Sequence, residues 1–253
     1  FAVSAADEKP YRRRPAAPFR TATLQQEASR KLRFSAQTTM RVAQRLYESG
    51  YITYMRTDST TLSESALAAA RAQVKQLFGE EYVPEKPRAY GRAVANAQEA
   101  HEAIRPAGDT FRTPDQIKSD VSRDEHALYE LIWRRTLASQ MEDARGNTVS
   151  LRIAATSSAG EDVELSASGT VITFRGFLAA YEPGRDEPAD DDEGRRLPQL
   201  DVGQEVTALS LEPDGHATSP PPRYTEPTLV KALEDRGIGR PSTYAAILST
   251  IID

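Results

Sequence analysis

Near residue 142 the spacing of apolar side chains changes from about 3.6 residues to about 2, and this change of period constrains the fold more than any other feature. Before it the pattern is helical. Leu24, Ala28 and Leu32 recur every four residues behind Thr23. Met40, Ala43, Leu46 and Tyr47 follow Ser35, with Gly50 placed to end that helix. Leu67, Ala70, Val74 and Leu77 follow Ser63, with Gly79 beyond. Ser122-Arg123-Asp124-Glu125 reads as a capping box that opens a long helix carrying Leu128, Leu131, Ile132 and Leu137. After the change, Val149, Leu151 and Ile153 alternate with polar residues, as do Val163, Leu165 and Ala167. Val171 to Leu178 and Val206 to Leu211 continue the β character. Pro220-Pro221-Pro222 is a stiff break. Two short helices are expected after it. One carries Leu229, Val230 and Leu233 and ends at Gly237; the other begins near Pro241 and carries Tyr244, Ile247, Leu248 and Ile251. The chain thus divides into stretches at 1–14, 15–141, 142–213 and 214–253.

The 253 residues are 39% hydrophobic and 27% charged, enough to bury a core and too apolar for wholesale disorder. No apolar run approaches the ~18 residues that span a bilayer, and Phe1 to Pro10 lacks the apolar core of a signal peptide. Cysteine is absent, which excludes disulfides and thiolate metal sites, and three histidines leave little room for an imidazole zinc site. The chain opens without Met and stops inside an apolar helical pattern, so a section of something longer is expected. Its net charge is −5, without the global basic balance common in nucleic-acid binders. Charge is unevenly spread, however. Arg12, Arg13, Arg14, Arg20, Arg30, Lys31 and Arg33 stand against Glu27 alone, a run suited equally to phosphate contact and to a solvated face. Six of the eight residues from Asp186 to Glu193 are acidic and read as a solvated loop.

Three phrases carry chemistry. In Gly50-Tyr51-Ile52-Thr53-Tyr54-Met55-Arg56-Thr57-Asp58-Ser59, residues Tyr51 to Met55 are β-prone. Extended backbone puts i and i+2 on one face, so Tyr54 and Arg56 project together, away from Thr53 and Met55. A phenol ionises only near pH ~10, and a neighbouring cation favours the phenolate. The same guanidinium can hold a phosphate oxygen while phosphorus becomes five-coordinate. A tyrosine tucked against a helix beside a surface arginine has the same spacing. In Asn96-Ala97-Gln98-Glu99-Ala100-His101-Glu102-Ala103-Ile104-Arg105-Pro106, a helix would place Gln98, His101 and Arg105 on one side, to grip a phosphate or shuttle a proton. A lone histidine also serves as a structural or merely exposed group. In Arg236-Gly237-Ile238-Gly239-Arg240-Pro241-Ser242-Thr243-Tyr244, two glycines make a tight turn and Arg240, Ser242 and Thr243 open a helix. Free amides, hydroxyls and the dipole make that an anion site, or an ordinary corner between two helices.

Together these phrases resemble the type IA DNA topoisomerases, the bacterial topoisomerase I group in particular. Ile52 to Ser59 is similar to the family's active-site phrase, Asn96 to Pro106 to its histidine phrase and Gly237 to Ile251 to a third signature. Pro221-Pro222-Arg223-Tyr224-Thr225 resembles the lead-in, and Thr23-Leu24-Gln25-Gln26-Glu27-Ala28 an earlier helix. Order and approximate spacing agree over essentially the whole chain.

The resemblance implies an α+β multidomain fold: a helical gate domain with the catalytic tyrosine (15–141) inserted into a β hinge domain (1–14 and 142–213), then the start of a helical domain that binds single-stranded DNA (214–253). It implies that Tyr54 is the nucleophile that becomes joined to a DNA 5′-phosphate, that Arg56 positions and neutralises the scissile phosphate, and that His101 is the active-site histidine. Asp58 and Arg105 lie in the same two phrases; Asp58 is expected to orient neighbours and Arg105 to help hold DNA. Arg240, Ser242 and Thr243 match a segment that binds the single strand upstream of the cut. The implied activity is relaxation of negatively supercoiled DNA without ATP. One strand is cleaved through the phosphotyrosine, the helical domain swings on the β domain, a strand passes and the break is resealed. The family's N-terminal Toprim domain has no counterpart in this chain, and the run Asp186 to Glu193 does not replace its acidic cluster. Mg²⁺ is therefore expected on that missing domain, with no metal held by this chain, and efficient relaxation is not expected of the chain alone. The implied partners are single-stranded and negatively supercoiled DNA and the Toprim domain of the same polypeptide, with no membrane, in a monomeric, cytoplasmic, nucleoid-associated protein. The alternative is a non-catalytic module that binds single-stranded DNA. A helix-turn-helix transcription factor fits less well, because Ala245, Ala246, Ile247 and Ile251 read as packing residues.

Overall fold

The computed structural model describes residues 1–90, 102–184, 197–198, 200–215, 217–218 and 220–252. The elements are β1 (Ala2–Arg13), α1 (Thr21–Leu32), α2 (Ala36–Glu48), α3 (Glu64–Phe78), α4 (Pro114–Ile117), α5 (Arg123–Ser139), β2 (Ala144–Thr156), β3 (Asp162–Phe174), α6 (Glu226–Asp235) and α7 (Tyr244–Ile252). Single 3-10 turns occupy Glu80–Tyr82 and Gly176–Ala179. The chain is thus mixed α and β, with a small antiparallel sheet. Its contacts form two compact units. One comprises Phe1–Arg13, Ala144–Arg175 and Glu187–Arg223; the other comprises Arg14–Asp143, Gly176–Asp186 and Tyr224–Asp253.

In the first unit the sheet order is β1-β2-β3, antiparallel throughout. Period-2 alternation turns Val149 and Leu151 toward Val3, and Ala6, Val171, Leu197, Leu200 and Val206 pack around them. β2 returns into β3 through a tight loop closed by the Ser157 amide on the Glu161 carbonyl (2.7 Å) and the Gly160 amide on Ser157 (2.9 Å). The β character expected across Val206 to Leu211 is not realised. The Val3 amide donates to Gln204 O (3.0 Å) and the Val206 amide to Phe1 O (3.0 Å), after which no ladder continues. Leu209 and Leu211 are 98% and 68% exposed. Alternation without a partner strand does not make a strand. Likewise the run expected from Val171 to Leu178 leaves the sheet after Phe174, where Gly176–Ala179 turns to bury Phe177 and Leu178.

In the second unit the long helix α5 buries Leu128, Ile132 and Leu137 completely and packs against α1, α2, α3 and α4. Serine side chains start three helices, as their spacing predicts. Ser35 Oγ accepts the Thr38 amide (3.1 Å), and Ser63 Oγ accepts that of Ala66 (3.4 Å). At Ser122 the box is reciprocal: Glu125 Oε2 accepts the Ser122 amide at 2.7 Å and Ser122 Oγ the Glu125 amide at 3.3 Å. α6 lies on α1 and α7 on α2, around Ala22, Ala36, Val230, Tyr244 and Leu248. Two carboxylates at opposite ends of α6 tie it down: Glu226 accepts the Ala36 amide (2.8 Å), and Glu234 pairs with Arg20 (2.7 Å). α7 begins at Tyr244 rather than near Pro241, because the Arg240 carbonyl first closes a turn onto the Thr243 amide (2.8 Å). Tyr47, expected on the apolar face of α2, is 43% exposed. Among the described residues no helix is long and apolar enough to cross a membrane.

Candidate active site

The first phrase follows α2 without a linker. Gly50, at φ +73°, ends that helix: its amide donates to Tyr47 O (2.9 Å) and the Tyr51 amide to Leu46 O (2.8 Å), the paired bonds of a Schellman cap. The chain then runs extended past Glu102–Pro106, touching it at the Ile52–Pro106 bridge. Thr53 is fastened there by three bonds. Its amide donates to Arg105 O (2.9 Å), its hydroxyl donates to Ala103 O (2.7 Å), and the same oxygen accepts the Arg105 amide (3.0 Å). Four residues on, the segment is fastened again, to the first turn of α1. The Thr21 hydroxyl donates to Met55 O (2.8 Å) and accepts the Thr57 amide (2.9 Å), while the Thr21 amide donates to Thr57 O (2.9 Å).

Between these anchors the side chains alternate. Ile52, Met55 and Thr57 are buried, whereas Tyr54, Arg56 and Asp58 are exposed. Tyr54 stands 40% exposed and meets Tyr47 edge-on, ring centroids 5.2 Å apart. Among the described residues the Tyr54 hydroxyl and the Arg56 guanidinium have no hydrogen-bond or ion-pair partner. Asp58 lies on the wall of a cleft of about 380 Å³ that is also lined by Arg20, Thr23, Thr60, Tyr90 and Arg135.

The second phrase departs from its expected form. His101 and Gln98 lie outside the described residues. Glu102–Pro106 is extended rather than helical, bridged to Phe19 through Ile104 and to Ile52 through Pro106. Arg105 therefore stands on extended backbone rather than on a helix, and it is not presented to a ligand. It is 7% exposed, and all five of its guanidinium N–H donors are spent inside the protein. Nε and Nη2 bind Glu102 (3.1 and 2.6 Å), Nη1 binds the Pro106 and Gly108 carbonyls (2.8 and 3.0 Å), and Nη2 also reaches Ser63 (3.5 Å). Burial by itself raises the Glu102 carboxyl, but hydrogen bonds from Ser63 and Arg105 outweigh it and hold the group below the usual carboxylate range. Arg105 thus braces the extended segment to which Thr53 is fastened.

In the third phrase, Arg240, Ser242 and Thr243 are all exposed at the entry to α7. Thr243 Oγ1 accepts the Arg240 amide (2.8 Å), so its hydroxyl shapes the turn. Gly239 at φ +84° holds a conformation that strains any other residue, and a Cβ there would sit 3.1 Å from Ile247 and Tyr244, close enough that those side chains must give way. Electrostatics connects this turn to the first phrase. Burial pushes the Tyr244 hydroxyl up and Glu234 pushes it further, Arg20 and Arg240 pull it down, and Asp58 adds to the rise. The charges of Glu234, Arg20, Arg240 and Asp58 thus all bear on this one phenol.

Sequence reasoning passed over Thr21, Thr53, Tyr47 and the Arg20–Glu234 pair. The partners of Thr21 and Thr53 lie 34 to 52 residues away, and no local pattern announces them. Tyr47 carried a signal, a second aromatic seven residues before Tyr54, but it reads equally as helix packing. No three His, Cys, Asp or Glu side chains gather as metal ligands among the described residues. The acidic run Asp186 to Glu193 lies outside the described residues.

Comparison with known proteins matches the features above. The family model described as DNA topoisomerase covers residues 1–253. The DNA topoisomerase 1 of Mycolicibacterium smegmatis is 64% identical over 256 residues, covering 100% of this chain and 27% of that protein. The DNA topoisomerase 1 of Streptomyces coelicolor is 62% identical over 255 residues, again 100% of this chain and 27% of that protein. The chain thus spans about a quarter of the length of these relatives. The structure of full-length topoisomerase I from Thermotoga maritima superposes with a TM-score of 0.73 at 35% identity, covering 99% of this chain and 40% of that one. By sequence along its whole length, and by fold, this chain belongs to the DNA topoisomerase family, alongside bacterial topoisomerase I.

Proposed function

We propose that this chain is the strand-cleaving section of a longer type IA DNA topoisomerase, with Tyr54 as its nucleophile. One observation carries this most directly. Tyr54 and Arg56 face solvent together, two residues apart, on backbone fastened at both ends by buried or half-buried threonines. The Tyr54 oxygen attacks a backbone phosphorus of one DNA strand, and the bond from phosphorus to the 3′-oxygen breaks. Tyr54 gives up its proton and the departing 3′-oxygen gains one, leaving a 5′-phosphotyrosine and a free 3′-hydroxyl. One phosphodiester replaces another, so resealing reverses the step without ATP. Arg56 holds a non-bridging oxygen and offsets the charge that grows as phosphorus becomes five-coordinate. Asp58 orients its neighbours, and His101 handles a proton. Arg240 and Ser242 hold the single strand upstream of the cut, on a turn that Thr243 shapes.

The substrate is negatively supercoiled DNA with a short single-stranded stretch, relaxed by cutting, strand passage and resealing in a cytoplasmic, nucleoid-associated monomer. The helical part acts as a gate domain on a β hinge, with 214–253 opening a domain that binds the single strand. We assign the magnesium to a Toprim domain elsewhere on the polypeptide, so this chain alone relaxes DNA poorly.

The test is Tyr54→Phe in the full polypeptide, incubated with a single-stranded oligonucleotide and then denatured. No covalent adduct is expected. An adduct that survives the substitution would remove Tyr54 from the chemistry and leave a module that only binds DNA.

A further inference from the structure

The two hydroxyl anchors on either side of Tyr54 share one design. Each threonine oxygen donates to a carbonyl and accepts from an amide, and each threonine amide closes a third bond to the same partner segment. At Thr53 the partners are Ala103 O, the Arg105 amide and Arg105 O, at 2.7, 3.0 and 2.9 Å. At Thr21 they are Met55 O, the Thr57 amide and Thr57 O, at 2.8, 2.9 and 2.9 Å. Tyr54 alone lies between Thr53 and the fastened Met55 carbonyl, and Arg56 alone between Met55 and Thr57, while the Met55 side chain, 2% exposed, plugs the middle. A phenol has two soft side-chain torsions, and the ring of Tyr54 meets that of Tyr47 edge-on. The position of the Tyr54 oxygen is therefore set by the backbone from which it springs. In-line attack tolerates little displacement, since a shift of about 1 Å can cost on the order of a hundredfold in rate.

We propose that Thr21 and Thr53 are positioning residues for strand cleavage, their hydroxyls fixing the backbone on either side of Tyr54 so that the phenolic oxygen and the Arg56 guanidinium are placed before DNA arrives. This deepens the assignment of Tyr54 as nucleophile and rests on it. Neither threonine touches the substrate. Their side chains are turned into the protein, Thr21 fully buried and Thr53 half-buried. Valine keeps the shape of threonine and removes both hydrogen-bonding roles, whereas serine keeps the hydroxyl and removes only a methyl group.

The experiment compares Thr53→Val with Thr53→Ser, and Thr21→Val with Thr21→Ser, in the full polypeptide. It measures the first-order rate of adduct formation on a saturating single-stranded oligonucleotide, the dissociation constant for that oligonucleotide, and the melting temperature. Each valine variant is expected to form adduct about 10- to 100-fold more slowly. Its dissociation constant should stay within about threefold of the parent, because DNA contacts are untouched. Each serine variant should recover most of the rate. Where a valine variant fails to fold, Thr→Ala takes its place against Thr→Ser. Cleavage by the valine or alanine variants at the parent rate overturns the proposal. So does a serine variant as slow as valine, which would make the methyl group responsible, or a loss of affinity that accounts for the whole loss of rate. Tyr54→Phe, run in parallel, keeps the two claims apart. A persistent adduct there sinks the nucleophile assignment and the positioning role with it, whereas a lost adduct together with fast valine variants sinks the positioning role alone.

Discussion

The cleavage phrase at 50–59 and the glycine turn at 236–244 both present an exposed arginine, yet they are built in opposite ways. Around Tyr54 the fixing bonds span 34 to 52 residues, to α1 on one side and to Glu102–Pro106 on the other. At the turn they span three or four, from Arg240 to Thr243 and Tyr244. The first conformation belongs to the folded unit; the second is largely written into nine consecutive residues. A site that must hold a nucleophile within fractions of an ångström benefits from remote, buried anchors. A surface that holds a flexible strand needs only donors in roughly the right place.

This contrast can be broken or sharpened by substitution. The largest effect is expected at Arg56→Ala, where loss of a group that offsets developing charge should slow adduct formation by about a hundredfold or more while oligonucleotide affinity changes little. An unchanged single-turnover rate would show that Arg56 does not clamp the phosphate. Next is Glu102→Gln, which removes the charged partner of buried Arg105. Hydrogen bonds between charged groups contribute about 1.5–3 kcal/mol, so unfolding in denaturant should show a loss of about 2 kcal/mol at neutral pH. Because the Glu102 carboxyl is held below the usual range when folded, its contribution is present above the unfolded pKa of 4.5 and is lost as pH falls through the folded value. The parent should therefore lose more stability on acidification than Glu102→Gln, and parallel pH curves would refute the ion pair's role.

Effects at the turn should be smaller. Gly239→Ala meets both a positive φ and the Ile247 and Tyr244 side chains, so about 1 kcal/mol of stability should be lost, measurable as a lower melting temperature. Arg240→Ala should lower oligonucleotide affinity only a few-fold and flatten its salt dependence by about 0.7 of a logarithmic slope, one phosphate's worth on a single strand. Glu234→Gln should be the mildest, under about 1 kcal/mol, and opposite in sign to Glu102. Burial raises the Glu234 carboxyl despite the Arg20 guanidinium, and Asp235 and Asp58 push it the same way. A raised carboxyl favours folding below the unfolded pKa of 4.5, and that benefit disappears as pH rises through the folded value. The parent should thus gain on acidification relative to Glu234→Gln; a loss would show that the Arg20 pair dominates after all.

Much of the local structure was legible in the chain. Ser35, Ser63 and Ser122 start helices where their spacing to the apolar stripe predicts, because an N-cap needs only one hydroxyl and an amide three residues on. Alternation placed Tyr54 and Arg56 on one exposed face because extended backbone has a period of two. Other expectations failed where a distant partner decided the outcome. Val206 to Leu211 alternates like a strand but finds no ladder after Val206. A helix through Glu102 to Pro106 would have put Arg105 on a shared face, yet the backbone groups there pair with Phe19, Thr53 and Thr61 and the segment stays extended. Arg105 has the composition of a phosphate ligand, but Glu102 and two carbonyls capture it first.

By itself, then, the sequence determined the helices with their caps, the alternation that exposes Tyr54 and Arg56, and the family. Each of these depends on residue types at short, regular spacings. Only the tertiary structure decided which arginine is spent inside the protein and which faces solvent, and what holds the tyrosine's backbone in place. Those outcomes depend on hydrogen-bond partners dozens of residues apart, whose meeting is a product of packing and leaves no period in the chain to read.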